Sequence, residues 1–399
     1  MDKNIFGYYS NSIFPRQASQ LNSGERIKEK QENPSSFVAY SAHIANILSK
    51  RSFNADDKEE IRRFILFAKS AKYRSLQDSK NAIVSAFGTS KKITSSIETI
   101  VSDILYLKED LHANVAKIIQ GFPDLLDYSP QYIKSKVAWL SSNEGAGVKN
   151  VSHLIEIFPM ALKYRIESMS LRVNFLHSLL DKDSTSDAIE RFPTLLELAP
   201  EKMQANIDFL VGIGITDIPR IIKKHPQILA YSVESMKAKA DMLIQSCNNN
   251  VCKIIEKSPQ IFAYSEQTLR SRIANLQALS SGKARLAISR QPQLLELSPA
   301  YLEAKVEKLR KHGISTEDIF LNPIVLSYSL IGRIAPRLDY IEHEAHGANL
   351  QGSELIKLLK SDNSEFIERL SFLGFKPDLQ EYLKYCAVIE GTEKLLRLN

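Results

Sequence analysis

The sequence predicts an all-α fold, a right- or left-handed curved solenoid of about seven to eight helical repeats of roughly 33 residues. Three observations carry this prediction: evenly spaced prolines, similar residues after each proline, and an apolar stripe in the segment that follows. The prolines are separated by 36, 34, 33, 33, 33 and 31 residues and are Pro123, Pro159, Pro193, Pro226, Pro259, Pro292 and Pro323. Self-similarity at this period is typical of stacked units that share one elongated core.

Each repeat is predicted to begin with a helix that ends before the proline. Apolar pairs such as Ile221-Ile222 and Ile254-Ile255 precede the proline by five and four residues. Proline lacks an amide hydrogen and disfavours helix for the residue before it, so the first helix should end there and a second short one should start.

A serine six residues after the proline should begin the long helix of the repeat, because serine is a favourable N-cap. Such serines are Ser129, Ser232, Ser265, Ser298 and Ser329. Apolar residues follow at positions 10, 14 and 17 after the proline, as in Met203, Ile207 and Leu210. This spacing predicts one buried stripe on the long helix.

The chain is predicted to have three parts. Residues 1–54 form a mobile N-terminal arm, residues 55–340 the repeat solenoid, and residues 341–399 a C-terminal helical cap. The first repeats are degenerate, since Phe87-Gly88 stands 35 residues before Phe122-Pro123.

Composition indicates a binding protein. Lys and Arg number 52 against 46 Asp and Glu, a net charge of +6, so nucleic-acid binding has to come from how the charges are arranged. The three cysteines lack a paired metal spacing, and His343 and His346 stand without further ligand types, so no metal or cofactor is expected. No apolar run is long enough for a membrane span. Nucleophile–base pairs are not evident, and we expect no enzymatic activity.

The repeat resembles that of the mitochondrial transcription termination factor (mTERF) family. The resemblance rests on the recurring Pro-x-Leu-Leu-x-x-Ser unit, on Lys136-Val137-Ala138-Trp139-Leu140, and on the closing motif at residues 322–337 with the segment 361–366 beyond it. It covers roughly residues 75 to 375.

The resemblance implies a curved helical solenoid whose concave, basic face binds nucleic acid in gene expression, in mitochondria or chloroplasts. Residues 1–36 lack the Arg-rich, acid-poor character of a transit peptide, so a cytoplasmic location, bacterial or delivered into a host, is the alternative. We expect a monomer that regulates transcription, by a termination-type activity, or RNA processing. The spacing does not distinguish duplex DNA from structured RNA.

The predicted nucleic-acid contacts are basic residues thirteen positions after the repeat proline, where the helix borders its apolar stripe. These are Lys136, Arg172, Lys239, Arg272 and Lys305. Arg333 and Arg337 of the closing motif, four residues apart on one helix face, are a further candidate clamp for phosphate.

Each candidate has a structural alternative. Basic residues at a helix flank can cover neighbouring repeats with their stems, and the two arginines can cap the last repeat. A second basic row, Lys134, Lys237 and Arg270, lies on the other side of the stripe. Tyrosines five residues after the prolines could stack on bases, although packing between repeats is the commoner role. The alternative function is a helical-repeat scaffold that binds a protein partner, including a bacterial protein acting on a host.

Overall fold

The computed structural model describes residues 34–50, 54–70, 80, 81, 83, 85–87, 95–247, 251–345, 350, 352–384, 386 and 387. These residues are helical or in turns, and no strand occurs among them. The predicted all-α repeat fold is thereby confirmed. The chain divides into two compact units, Met1–Val173 (unit 1) and Asn174–Asn399 (unit 2).

Unit 1 contains short and long helices in alternation, with a π-helical turn at Tyr106–Asp110. Its helices are α1 (Pro34–Ser49), α2 (Ala55–Ser70), α3 (Ile97–Leu105), α4 (Val115–Gly121), α5 (Pro130–Ser141), α6 (Val151–Ile157) and α7 (Ile166–His177), the last of which ends in unit 2.

Unit 2 continues the alternation from α8 (Lys182–Arg191) and α9 (Pro200–Gly212). The helices that follow are α10 (Ile218–Lys224), α11 (Val233–Cys247), α12 (Val251–Lys257), α13 (Glu266–Leu279), α14 (Ala284–Arg290), α15 (Pro299–Lys311), α16 (Thr316–Leu321), α17 (Ala335–Ala345), α18 (Gly352–Lys360) and α19 (Asn363–Phe372).

A short 3-10 helix starts at each repeat proline. These segments are Pro123–Asp127, Pro159–Leu162, Pro193–Leu196, Pro226–Leu229, Pro259–Ala263, Pro292–Glu296 and Pro323–Ser327. The residue before the proline leaves the helical region, as Phe122 does with φ −149° and ψ 77°. This is the interruption that proline imposes on its neighbour.

The predicted serine caps are confirmed. Ser129, Ser265 and Ser298 each accept a hydrogen bond from the amide three residues later, at 3.2, 3.0 and 3.3 Å. Ser232 and Ser329 accept equivalent bonds at 3.2 and 2.9 Å. Serine therefore supplies an acceptor for an amide that the first turn of the helix leaves without a backbone partner.

Within unit 2 the short helices pack on short helices and the long helices on long helices, so that each repeat adds one helix to each of two layers. An isoleucine four residues before the proline is buried in every one of these repeats. The unit 2 members are Ile189, Ile222, Ile255, Ile288 and Ile319. The predicted stripe of the long helices lies between the layers, where Leu210, Leu243 and Leu276 are fully buried.

Truncating one stripe residue should destabilise unit 2. Leu276 is 0 % exposed, so Leu276→Ala leaves a cavity as well as losing apolar burial. We expect a loss of about 2 to 5 kcal/mol in unfolding free energy, measured by chemical denaturation. The matched control is Val211→Ala, since Val211 is 55 % exposed and lies beside the stripe. A loss below about 1 kcal/mol for Leu276→Ala would contradict the assigned face.

Part of the predicted N-terminal arm is structured. Pro34–Ser49 forms α1, and Ile44, Ile47 and Leu48 on it are buried. The prediction of a mobile arm over residues 1–54 is therefore wrong for this helix, because its apolar spacing is hidden in a polar N-terminal composition. Residues 1–33 lie outside the described residues. The boundary predicted at residue 340 stays a prediction.

The C-terminal region contains the helices that a cap would need, α18 and α19, with Leu355, Leu359 and Phe366 buried. Among the described helices, none has the length and apolar character required to span a membrane.

Candidate nucleic-acid interface

The basic row at position 13 lies between repeats instead of facing solvent. Lys239 Nζ donates to the carbonyl oxygen of Phe262 at 2.8 Å, and Lys305 Nζ donates to that of Leu326 at 2.7 Å. Each acceptor is the third residue after the next repeat proline. The carbonyls at the end of a short helix lack helical partners, and a cation is favourable there. We name the side chains of this row that donate to a carbonyl oxygen of the next repeat the clamp residues.

The other members of the row form related contacts. Arg272 Nη1 donates to the carbonyl oxygen of Leu295 at 2.8 Å, and Lys136 Nζ donates to that of Tyr164. Asn206, the neutral residue of the row, donates through Nδ2 to Ile228 and Tyr231, both at 3.0 Å. A neutral amide can thus replace the cation, which indicates that donating a hydrogen bond to the next repeat is what this position requires.

Burial removes the lysines of the row from phosphate. Lys136, Lys239 and Lys305 are 2 %, 6 % and 1 % exposed. Desolvation lowers the pKa of all three, and it lowers that of Lys305 to about 8. A buried, hydrogen-bonded ammonium does not reach a ligand outside. The prediction that these lysines bind phosphate is therefore wrong, and the packing alternative applies.

The two arginines of the row are half-buried. The Arg272 guanidinium lies 4.0 Å from the ring centroid of Tyr264, and Arg172 donates to the carbonyl oxygen of Ser168 on its own helix. Both planar groups are held by the protein but remain half-buried, so their predicted assignment to the phosphate ladder stays a prediction.

Arg333 and Arg337 hold the closing motif together. A π-helical turn at Leu330–Ile334 adds one residue, so that Arg337 stands fourteen residues after Pro323 and acts as the last clamp residue. Arg337 is 1 % exposed and donates to the carbonyl oxygens of Leu358 and Ser361, both at 2.7 Å.

Arg333 donates to the carbonyl oxygen of Leu359 at 3.1 Å, and its guanidinium lies 4.0 Å from the ring centroid of Tyr328. Burial corrects the predicted phosphate role of Arg337 to that of a structural cap, whereas for the half-buried Arg333 that role stays a prediction. The tyrosines five residues after the prolines also pack internally. Tyr264 lies against Arg272, and Tyr328 lies against Arg333.

A different basic row is exposed on the short helices of unit 2. It stands two residues before the repeat proline and consists of Arg191, Lys224, Lys257 and Arg290, here named the A row. Lys257 Nζ donates to the carbonyl oxygen of Arg290 at 3.1 Å, and Arg290 Nη1 donates to that of Leu321 at 2.5 Å. Each side chain leans onto the end of the next short helix, which orders the row along the layer.

Further basic residues stand on the same helix face. Arg220 and Lys253 precede Lys224 and Lys257 by four residues and are exposed, and residues at this spacing are neighbours on a helix surface. Lys223, beside them, forms an ion pair with Asp181 at 2.8 Å. That pair lowers the pKa of Asp181.

The central short and long helices of unit 2 differ in charge. The short helices α10, α12 and α14 contain seven basic residues and one acid, Glu256. The long helices α11, α13 and α15 contain eight basic and five acidic residues, and three of those basic residues are clamp residues. The exposed charges of α11, α13 and α15 are therefore balanced, and those of α10, α12 and α14 are strongly positive. The outer short helices differ, because α8 contains two basic and three acidic residues and α16 contains two acids and no basic residue. The sequence signal for the A row is the basic residue that recurs two positions before the repeat proline.

The helical repeats of unit 2 also match a known protein family. The model of the mTERF family matches residues 178–277 and residues 212–367. A search of the curated proteins found no match. The matched residues include the A row and the closing motif, and the resemblance predicted from the repeat is confirmed over residues 178–367.

Proposed function

Because residues 178–367 carry the repeats of the mTERF family, we propose that the protein binds nucleic acid through the short-helix layer of unit 2. Its role is to regulate transcription, by a termination-type activity, or to act in RNA processing. The observation that carries the proposal is the charge of three central short helices, with seven basic residues and one acid on α10, α12 and α14. Phosphate contacts supply most of the sequence-independent affinity for nucleic acid.

The regular placement of the A row supports a polymeric ligand. One exposed cation recurs in each of four successive repeats, and its charged group donates a hydrogen bond to a carbonyl oxygen of the next repeat. Stacked repeats present equivalent residues along one surface, so the row offers charges in series to a chain of phosphates. Phosphate contacts position a protein on nucleic acid without reading its sequence, so the A row does not define a recognised sequence.

The test is a titration of the purified protein into labelled duplex DNA, single-stranded RNA and structured RNA at two salt concentrations. If the four A-row residues each neutralise one phosphate of duplex DNA, the logarithm of the affinity should fall with that of salt with a slope of about 3 to 4. Replacing Lys257 and Arg290 by Ala should lower the slope by about 2. A salt-independent complex, or an unchanged slope in the double variant, would contradict the proposal.

A protein-binding scaffold is the second candidate, and one observation favours it. Phe372 at the end of α19 is 92 % exposed, with Leu373 and Leu383 also exposed. Exposed apolar groups of this size mark protein contacts in many chains. Failure of all three nucleic-acid ligands to bind would favour the scaffold.

A further inference from the structure

We propose that unit 2 binds a divalent transition-metal ion, Zn²⁺ by its donor set, between the C-terminal end of α15 and α17. The ligands are His312, which follows the last residue of α15, and Asp339 and Glu342, which stand three residues apart on α17. Their donor atoms all lie within 4.8 Å of one another. Residues three apart on a helix project from the same face, which brings the two carboxylates to the same side of α17.

The imidazole of His312 is oriented as a metal ligand would be. Its Nδ1 lies 2.9 Å from the carbonyl oxygen of Lys308, and since a carbonyl only accepts, Nδ1 carries the proton. In the neutral ring, Nε2 then holds a lone pair. A backbone carbonyl that fixes the other ring nitrogen is the usual outer support of a metal-bound histidine.

The Nε2 atom of His312 is buried and, among the described residues, has no hydrogen-bond partner. It faces the oxygens of Glu342 at 3.2 Å and of Asp339 at 3.5 Å, neither aligned as a hydrogen bond. A lone pair directed at two carboxylates is unfavourable unless a cation, either a metal ion or the proton of an imidazolium, lies between them. The imidazole of His312 is 15 % exposed, and its burial shields the position between Nε2 and the carboxylates from bulk water.

Two of the three spacings between the ligand atoms fit a tetrahedral ion. With zinc–nitrogen and zinc–oxygen bonds of about 2.0 to 2.1 Å, the ligand atoms of a tetrahedron lie about 3.3 Å apart. The two nitrogen–oxygen distances of 3.2 and 3.5 Å bracket this value. Mg²⁺ and Ca²⁺ prefer sites made of oxygen alone, whereas an imidazole with carboxylates suits Zn²⁺. Glu342 is 77 % exposed, so water can reach the fourth position.

Lys308 is the competitor for the site. Its ammonium contacts Asp339 Oδ1 and already neutralises one carboxylate. Removing this charge should therefore strengthen metal binding, whereas it would have no such effect if His312 served only to pack α15 against α17. The bound ion would join α17 to α15 and so stabilise the end of the repeat array.

The experiment uses the full chain, stripped of metal by a chelator and titrated with Zn²⁺ against a chromophoric zinc indicator. The variants are His312→Gln, Glu342→Gln and Lys308→Met, with His153→Gln, an exposed histidine of unit 1, as the matched control. We expect one site whose affinity falls at least tenfold in His312→Gln and in Glu342→Gln. Affinity should rise in Lys308→Met and stay unchanged in His153→Gln.

Thermal melting gives a second measurement. Zn²⁺ should raise the melting temperature of the parent and of His153→Gln but not that of His312→Gln. Glu342→Gln keeps the test decisive if His312→Gln does not fold, because Glu342 is largely exposed. Absence of binding to the parent would overturn the proposal. Zinc binding that survives both ligand variants would do the same, since it would belong to other groups such as the cysteines.

Discussion

Reversing the charge of Lys224, Lys257 and Arg290 together should reduce affinity for nucleic acid by on the order of a hundred- to a thousandfold at about 0.1 M salt. Each lost phosphate contact removes about 0.9 logarithmic units of affinity at that salt concentration, and the new carboxylates add repulsion. All three side chains are exposed. The carbonyls they leave can bind water, so the melting temperature should change little. The measurement is a binding titration of the triple glutamate variant beside its thermal melting curve.

The matched control places three glutamates on the long helices of the same three repeats, at Lys237, Arg270 and Arg310, which are also exposed. Both triple variants lose the same net charge. If the A row forms the interface, only the first variant loses binding. Equal losses would mean that net charge alone attracts the ligand, and two unaffected variants would place the interface elsewhere.

Lys305→Ala should cost about 3 kcal/mol in unfolding free energy, the second large effect. The side chain is 1 % exposed, so its removal leaves a cavity and also leaves the carbonyl oxygen of Leu326 without its donor. Chemical denaturation of unit 2 measures the change. Lys311→Ala is the control, since Lys311 is 68 % exposed and pairs with Glu307 on the surface. A loss below about 0.5 kcal/mol, the range of exposed substitutions, would contradict the clamp.

The pH dependence of the same site has a defined sign. Burial lowers the pKa of Lys305 to about 8 from its ordinary 10.5, so the folded state binds fewer protons than the unfolded state between these values. Stability should therefore rise with pH from about 8 to about 10.5, by at most about 1.4 kcal/mol per pH unit. Lys305→Met keeps the apolar stem and should lack this rise. The difference between the two proteins isolates Lys305, because the other titrating groups are common to both.

The repeat was predictable because its signals are local. Proline chemistry, serine caps and the apolar stripe act within one helix or between adjacent ones, and Ser265 and Leu276 lie where that reasoning placed them. The role of position 13 was not predictable in the same way. Lys239 borders the stripe at a helix flank, and whether that flank faces solvent or the next repeat depends on how closely the repeats stack.

The exposed interface candidate was missed for a different reason. From the sequence alone, recurring cations on the long helices, such as Lys136 and Lys305, predict ligand contacts. Recurrence at one position is equally what repeat-to-repeat packing demands. Burial separates the two interpretations, and burial at a helix flank is a property of the stacked array. The balanced charge of α11, α13 and α15 and the positive charge of α10, α12 and α14 also appear only once the helices are assigned to their layers.

The clamp has a direction. In unit 2 the donor always belongs to one repeat and the acceptor to the repeat that follows, as Lys239 does with Phe262. Deleting repeats from the N-terminal side removes donors and leaves carbonyls that water can solvate. Deletion from the C-terminal side removes acceptors and uncovers the clamp side chains, whose amines water can then solvate. In the folded unit 2 the series of donors closes with a terminator. The carbonyls of Leu358 and Ser361, which receive Arg337, supply it.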